Sequence, residues 1–153
     1  MKLYRLSIAA HSRALDGGYG LLFDGRWNTV GHAVTYMASV PSLCLLEKLV
    51  HVEDPALLPD LDIVTYNAPD DWPVQRVEPD DLPSDWEERE ALTQNLGDEW
   101  HEARQSPLLS VPSAIIAVAG ALDRNFVVNH NHRRAGELTI ESVTPFRFDP
   151  RLL

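Results

Sequence analysis

Within the stretch GRWNTVGHAVTYMASVPSLCLLEKL, Gly25 to Leu49, an arginine, a tyrosine and a glutamate follow one another closely. Arg26 stands between Gly25 and Trp27 in a glycine-rich passage. An arginine fork matches a phosphate or pyrophosphate bidentately, and an adjacent glycine permits close approach. Glu47 lies in an apolar run where a helix is expected. At 3.6 residues per turn it falls about 40° from Leu43 and about 60° from Val50, on the shoulder of the apolar stripe. A carboxylate placed there is partly desolvated and must be paired, protonated or aimed into a cavity. Tyr36 offers a ring that can stack on a planar group. Each also has an ordinary structural reading: Arg26 in a surface ion pair, Glu47 as a solvated helix residue beside Lys48 and His51, Tyr36 as core filling.

Other chemistry-bearing residues are more isolated. Ser113, in SVPSAII, has no GxSxG elbow around it, so a hydroxyl that bonds a ligand or caps a strand end suits it better than a nucleophile. His130 and His132, in NHNHRR, form a histidine pair without a nearby carboxylate or cysteine, which suits a polar turn better than a metal centre. The single cysteine, Cys44, rules out an internal disulfide and reads as a packed thiol.

Elements must carry these residues. KLYRLSI alternates as a strand over 2–7, and AVTYMAS reads as a second. A helix from Pro41 to Val52 follows, with proline in its first turn and Leu43, Leu46, Leu49 and Val50 on its buried side. Between them, residues 10–31 hold five glycines and predict a long functional loop, without the glycine spacing of a dinucleotide fingerprint. LDIVTY and PVQRVE predict further strands, with PDDLPSD as an internal linker. A second helix is expected from Ser84, with Glu87 completing a capping box and Leu92, Leu96, Trp100 and Ala103 as its stripe, weakened by Gly97. AIIAVAG reads as a buried strand, and NFVVN, ELTIESV and FRFD as three more. The sum is a mixed α/β (α+β) domain over 1–153.

At 153 residues the chain fits one domain, and a net charge of −10 with a pI near 4.9 argues against direct DNA or RNA binding. It favours a basic protein partner and requires local cations wherever an anionic ligand sits. No apolar run is long enough to span a membrane, the N-terminus reads as mature, and cytoplasmic residence is expected.

Five segments in this order, Tyr4–Arg5, GRWNTVGHAVTYMASVPSLCLLEKL, LLSVPSAII, NFVVNHNH and PFRFDPRLL, together resemble the RES-domain family, the toxin half of Xre–RES type II toxin–antitoxin pairs. The resemblance runs over nearly the whole chain. It places the family's arginine, glutamate and serine at Arg26, Glu47 and Ser113. One departure is His130, which stands where a proline is expected after VVN and leaves the role of that turn open.

The resemblance implies an ADP-ribosyltransferase-like fold, with central mixed sheets flanked by helices, and an enzyme that consumes NAD⁺ as substrate without a further cofactor. It implies glycosidic cleavage releasing nicotinamide, with water or inorganic phosphate as acceptor, or transfer of ADP-ribose to a protein. Arg26 would hold the pyrophosphate, Glu47 face the ribose, Tyr36 stack on nicotinamide, Ser113 bond the ribose or nicotinamide side, and Asn129 line the pocket wall. An Xre-type helix-turn-helix antitoxin would block the site, with the toxin a homodimer in that complex. A non-catalytic acidic binding module is the contrasting reading.

Overall fold

In the computed structural model, which describes residues 1–54 and 57–152, seven strands form one sheet in the order β4-β5-β6-β2-β1-β3-β7. They are β1 (Lys2–Ile8), β2 (Val34–Ala38), β3 (Leu61–Asn67), β4 (Val74–Arg76), β5 (Leu108–Val111), β6 (Asn125–Asn129) and β7 (Thr139–Phe146). β4 and β5 run parallel; every other pair is antiparallel. Three helices accompany them among the described residues: α1 (Gly18–Leu22), α2 (Pro41–Leu49) and α3 (Glu90–Ala103). No helix of the described residues is long and apolar enough to cross a membrane. Leu153, the end of the PFRFDPRLL segment, lies outside the described residues.

The sheet has a seam. β1 pairs with β3 along its whole length, and β2 with β6 along its own, but β1 meets β2 in register only at Tyr4 and Ala38. Helix α2 lies across this junction: Leu43 and Cys44 bury against Ala38 of β2 and Tyr4 and Leu6 of β1. Cys44 donates its thiol to the Tyr4 carbonyl at 3.2 Å, and burial pushes the thiol up to about 12, so it is the packed cysteine expected.

The two sheet faces carry separate cores. Leu3, Met37, Val64, Tyr66, Leu108, Phe126 and Val128 form one. On the other face Val34, Leu109, Val111 and Val127 meet three tryptophans, Trp27, Trp86 and Trp100, with Tyr36 packed at the edge. That alternation along β2, β5 and β6 follows from the two-residue repeat of a strand.

Several expectations are corrected. AIIAVAG forms no strand: Ile115, Ile116 and Val118 are exposed, and the strand of this region is LLSV, one segment earlier. The cause is Ser113, whose hydroxyl accepts the Ile115 and Ile116 amides and turns the chain out of the ladder. The helix expected from Ser84 begins at Glu90, and Ser84 makes no cap. Trp86 instead occupies a short 3₁₀ turn over 86–88, its indole buried 6.2 Å from Trp27, and Arg89 is non-helical. Helix α2 ends at Leu49, leaving Val50 59% exposed where burial was expected. The glycine-rich loop contains α1, the strand within ELTIESV starts at Thr139 and runs on to Phe146, and FRFD forms no strand of its own.

The stripe of α3 is also rotated. Thr93, Gly97, Trp100 and His101 are buried, whereas Leu92 and Leu96 are half-buried and Ala103 is exposed. Gly97 is the reason. A methyl group on its Cα would stand 2.7 Å from the Trp27 carbonyl carbon and closer still to the oxygen, so only glycine lets α3 approach the loop this closely.

Candidate active site

Arg26 and Trp27 occupy the middle of a tight turn closed by reciprocal backbone hydrogen bonds between Gly25 and Asn28, at 3.0 and 3.4 Å. Trp27 is driven into the tryptophan core, which fixes the turn from below. The Tyr36 hydroxyl, projecting from β2, accepts the Trp27 amide at 3.0 Å and donates to the Asn28 side-chain oxygen at 2.6 Å. A Cβ on Gly25 would lie 2.5 Å from that hydroxyl, so glycine is required there. Helix α3 grips the turn's other side. Gln94 donates to the Gly25 carbonyl at 3.1 Å, and Asp98 accepts the Thr29 amide at 2.9 Å and the Thr29 hydroxyl at 2.6 Å.

Arg26 is thereby presented on a rigid support. Its Nη1 is buried and has no hydrogen-bond partner among the described residues. An unsatisfied buried donor of a charged group is costly, and an anion is its natural complement. Burial pushes the Tyr36 hydroxyl well above its ordinary range, with the Arg26 charge opposing that shift. Tyr36 is therefore a neutral phenol whose oxygen is committed to the loop and whose ring packs at the edge of the tryptophan core.

Glu47 follows Leu43 and Cys44 by four and three residues on α2, so it points along the buried side of the helix. Its Oε1 accepts from the Ser113 hydroxyl at 2.8 Å and, in a short bond, from the Asn125 side-chain amide. No hydrogen bond reaches Oε2 among the described residues. Ser113, only 1% exposed, uses its proton on Glu47 and its lone pairs on two amides, so every bonding position of its hydroxyl is filled within the protein.

Strand register relates the two charged groups. Tyr36 sits opposite Val127, and Ala38 opposite Asn125, so the Arg26 support and the Glu47 anchor share a sheet face, one two-residue strand step of about 7 Å apart. Neither Arg26 nor Glu47 enters an ion pair among the described residues. They do not neutralise each other.

Asn129 lies on the face of β6 that carries Asn125 and Val127, opposite Val34. Asn129 is fully buried. Its amide donates to the His101 carbonyl at 2.9 Å and accepts the Asn131 amide at 2.9 Å, so what it touches is protein. His130 contacts the Thr35 hydroxyl at 2.8 Å, and burial lowers its imidazole to about 4. His132 is buried, its Nδ1 accepting the Arg134 amide at 3.1 Å. Together they form a turn, and no group of three or more His, Cys, Asp or Glu among the described residues is disposed to hold a metal ion. Sequence reasoning missed Asn125. Its signal lay in NFVVN, where the strand period puts Asn125 on the face of Val127, a polar residue at the edge of a buried row. Two open concavities of about 400 and 510 Å³ lie along β7, and neither is lined by Arg26, Glu47 or Ser113.

Residues 2–149 match the RES domain family. The chain is 34% identical to Toxin Res of Yersinia enterocolitica over 157 aligned residues, covering 99% of both chains. It is 29% identical to the Prs ADP-ribosylating toxin of Sphingobium sp., covering 91% of this chain and 86% of that one. In structure it is similar to a chain of the M. tuberculosis MbcT–MbcA toxin–antitoxin complex. The TM-score is 0.73 at 20% identity, over 95% of this chain and 83% of the other, which establishes that the two chains share a fold.

Proposed function

The chain belongs to the RES-domain family, and from that premise we propose that it is the toxin of a toxin–antitoxin pair and cleaves the nicotinamide–ribose bond of NAD⁺. The observation that carries the reading is the division of labour on one sheet face. Among the described residues, a guanidinium with a buried, unpartnered Nη1 and a carboxylate anchored through one oxygen only are supported from register positions one two-residue step apart.

Nicotinamide departs as a neutral molecule, so the leaving group needs little help from a general acid. The barrier lies in the positive charge that grows on the ribose, as in other glycosyl transfers. Glu47, with Oε2 directed to the ribose hydroxyls or the developing cation, stabilises that charge more in the transition state than in the ground state. Arg26 holds the pyrophosphate against the repulsion of an acidic protein. Tyr36 offers its ring to the nicotinamide and its hydroxyl to the Arg26 turn. Ser113 acts by orienting Glu47, and Asn129 by fixing the β6 end to α3. The acceptor is water or inorganic phosphate. Consumption of the cytoplasmic NAD⁺ pool then arrests growth.

The proposed partner is an Xre-type helix-turn-helix antitoxin that covers the site, with the toxin dimeric in the complex. Exposed Ile115, Ile116 and Val118 flank Ser113, and exposed Leu22 and Phe23 precede the Arg26 turn, giving such a partner apolar surface at both ends. Incubating the protein with NAD⁺, with and without phosphate, and identifying products by mass spectrometry tests the activity. Free nicotinamide with ADP-ribose or its phosphorylated form is expected, and intact NAD⁺ in both mixtures refutes it. A second reading, ADP-ribosylation of a protein, draws on the Sphingobium relative and predicts an ADP-ribose adduct on a protein in treated lysate.

A further inference from the structure

We infer that Asn125 is a positioning residue for the Glu47 carboxylate, acting with Ser113 to fix Oε1 and so leave Oε2 as the reacting oxygen. The inference rests on the proposed NAD⁺ cleavage for its kinetic meaning, and on the geometry alone for the contact itself. A carboxylate accepts hydrogen bonds only, so the atom of Asn125 that touches Oε1 is its NH₂ group, which fixes the orientation of the amide. The Ser113 hydroxyl reaches the same oxygen from the β5 side. Two donors on one oxygen, one opening β6 and one following β5, set both the direction and the rotation of the carboxylate plane.

Asn125 is itself held firmly. It opens β6 between two partners, opposite Ala38 on one side and Val111 on the other. Its neighbour Arg124 is 5% exposed and locked at both ends. The Arg124 amide donates to the Ser39 hydroxyl at 2.9 Å. Its guanidinium reaches the Ser110 hydroxyl at 3.0 Å, the Ser110 and Val77 carbonyls at 3.2 and 2.6 Å, and Glu78 at 2.9 Å. A side chain rooted in such a backbone places its amide reproducibly, which is what orienting a catalytic group requires.

The test measures kcat and KM for NAD⁺ in the full-length protein. For Asn125→Leu we expect kcat to fall about 30-fold with KM changed less than about threefold, since ground-state binding is untouched and orientation is lost. In the Glu47→Gln background the same substitution is expected to change residual turnover less than about twofold, because there is no carboxylate left to orient. Asn125→Asp is nearly isosteric, but two carboxylates side by side must share a proton to restore the donor. Its turnover is expected to rise about tenfold from pH 8 to pH 5, a rise absent from the wild type. A wild-type kcat in Asn125→Leu, an equal loss in both backgrounds, or a flat profile for Asn125→Asp overturns the inference.

If the wild type leaves NAD⁺ intact, the functional reading fails and thermal unfolding decides the positioning claim. Losses in Tm for Asn125→Leu and Glu47→Leu that fall short of additivity in the double variant, by about 2 °C or more, uphold it; additive losses overturn it.

Discussion

Replacing Gly97 with alanine sets two effects against each other. Helix propensity alone favours the change, by about 1 kcal/mol in the interior of α3. Packing opposes it, because the new methyl would stand 2.7 Å from the Trp27 carbonyl carbon. Carbon atoms rest at about 3.5–4.0 Å, and the carbonyl oxygen would stand closer still, so α3 or the turn must move by more than about 1 Å. The obstacle is backbone, and it belongs to a tryptophan with 2% exposure whose turn is tied to α3 at Gln94 and Asp98. Overpacking of this kind costs about 2–4 kcal/mol where nothing can rotate aside. The net expectation is a loss of about 1–3 kcal/mol, or a fall in Tm of about 3–10 °C for a chain of this size. Denaturant titration with an unchanged m-value, alongside calorimetry, measures it. A Gly97→Ala variant as stable as the wild type, or more so, refutes the argument that close approach fixes this glycine. Because the displaced turn carries Arg26, NAD⁺ turnover is expected to fall further than the folded fraction does.

Three other perturbations probe separate parts of the site. Glu47→Gln is nearly isosteric and is expected to lower NAD⁺ consumption by about 10³-fold at unchanged far-UV circular dichroism, and full turnover removes the carboxylate from the mechanism. Arg26→Lys keeps the charge and loses the planar fork, so KM for NAD⁺ is expected to rise about tenfold or more, while an unchanged KM removes Arg26 from the pyrophosphate. His130 concerns stability. Its imidazole is held at about 4, chiefly by burial, so the folded state binds fewer protons than the unfolded one between about pH 4 and 6.5. The neutral histidine therefore supports the fold fully above pH 6.5, and that support is lost as pH falls through 4. Partial solvent screening leaves on the order of 2–3 kcal/mol, so His130→Gln is expected to lose that much less stability than the wild type between pH 7 and 4. Parallel stability curves for the two proteins would exclude the effect.

The elements with a strong period were legible. β1, β3 and β6 stand out as short apolar-rich runs of strand length, and proline at the head of α2 marks its start. Arg26, Glu47 and Ser113 came from the joint family pattern, since each alone reads equally well as an ordinary surface or core residue. What was not legible depended on tertiary contacts. AIIAVAG has the composition of a buried strand, but a single serine hydroxyl capturing two amides diverts it. Gly97 looked like a weakness in α3 until the backbone of Trp27, far away in sequence, was set against it. The start of α3 moved because burying Trp86 outweighed a capping box. Asn125 carried only its strand-period signal on the face of Val127, and its partner lies on an element with no sequence relation to β6.

The seam between β1 and β2 gives the Glu47 carboxylate a second identity. Glu47 rides on a helix seated over β1 and β2, yet its oxygen is fastened to residues that open β6 and follow β5. It is a rivet through two plates, and the plates are synthesised in sequence. A growing chain emits the helix early and the two fastening side chains only in its final third. Until Asn125 has emerged and its strand has slotted in beside β2, Glu47 lacks one of the two donors on its Oε1. On the proposed function, a chain cut short before Asn125 would carry Glu47 without the full pair of donors that orients it.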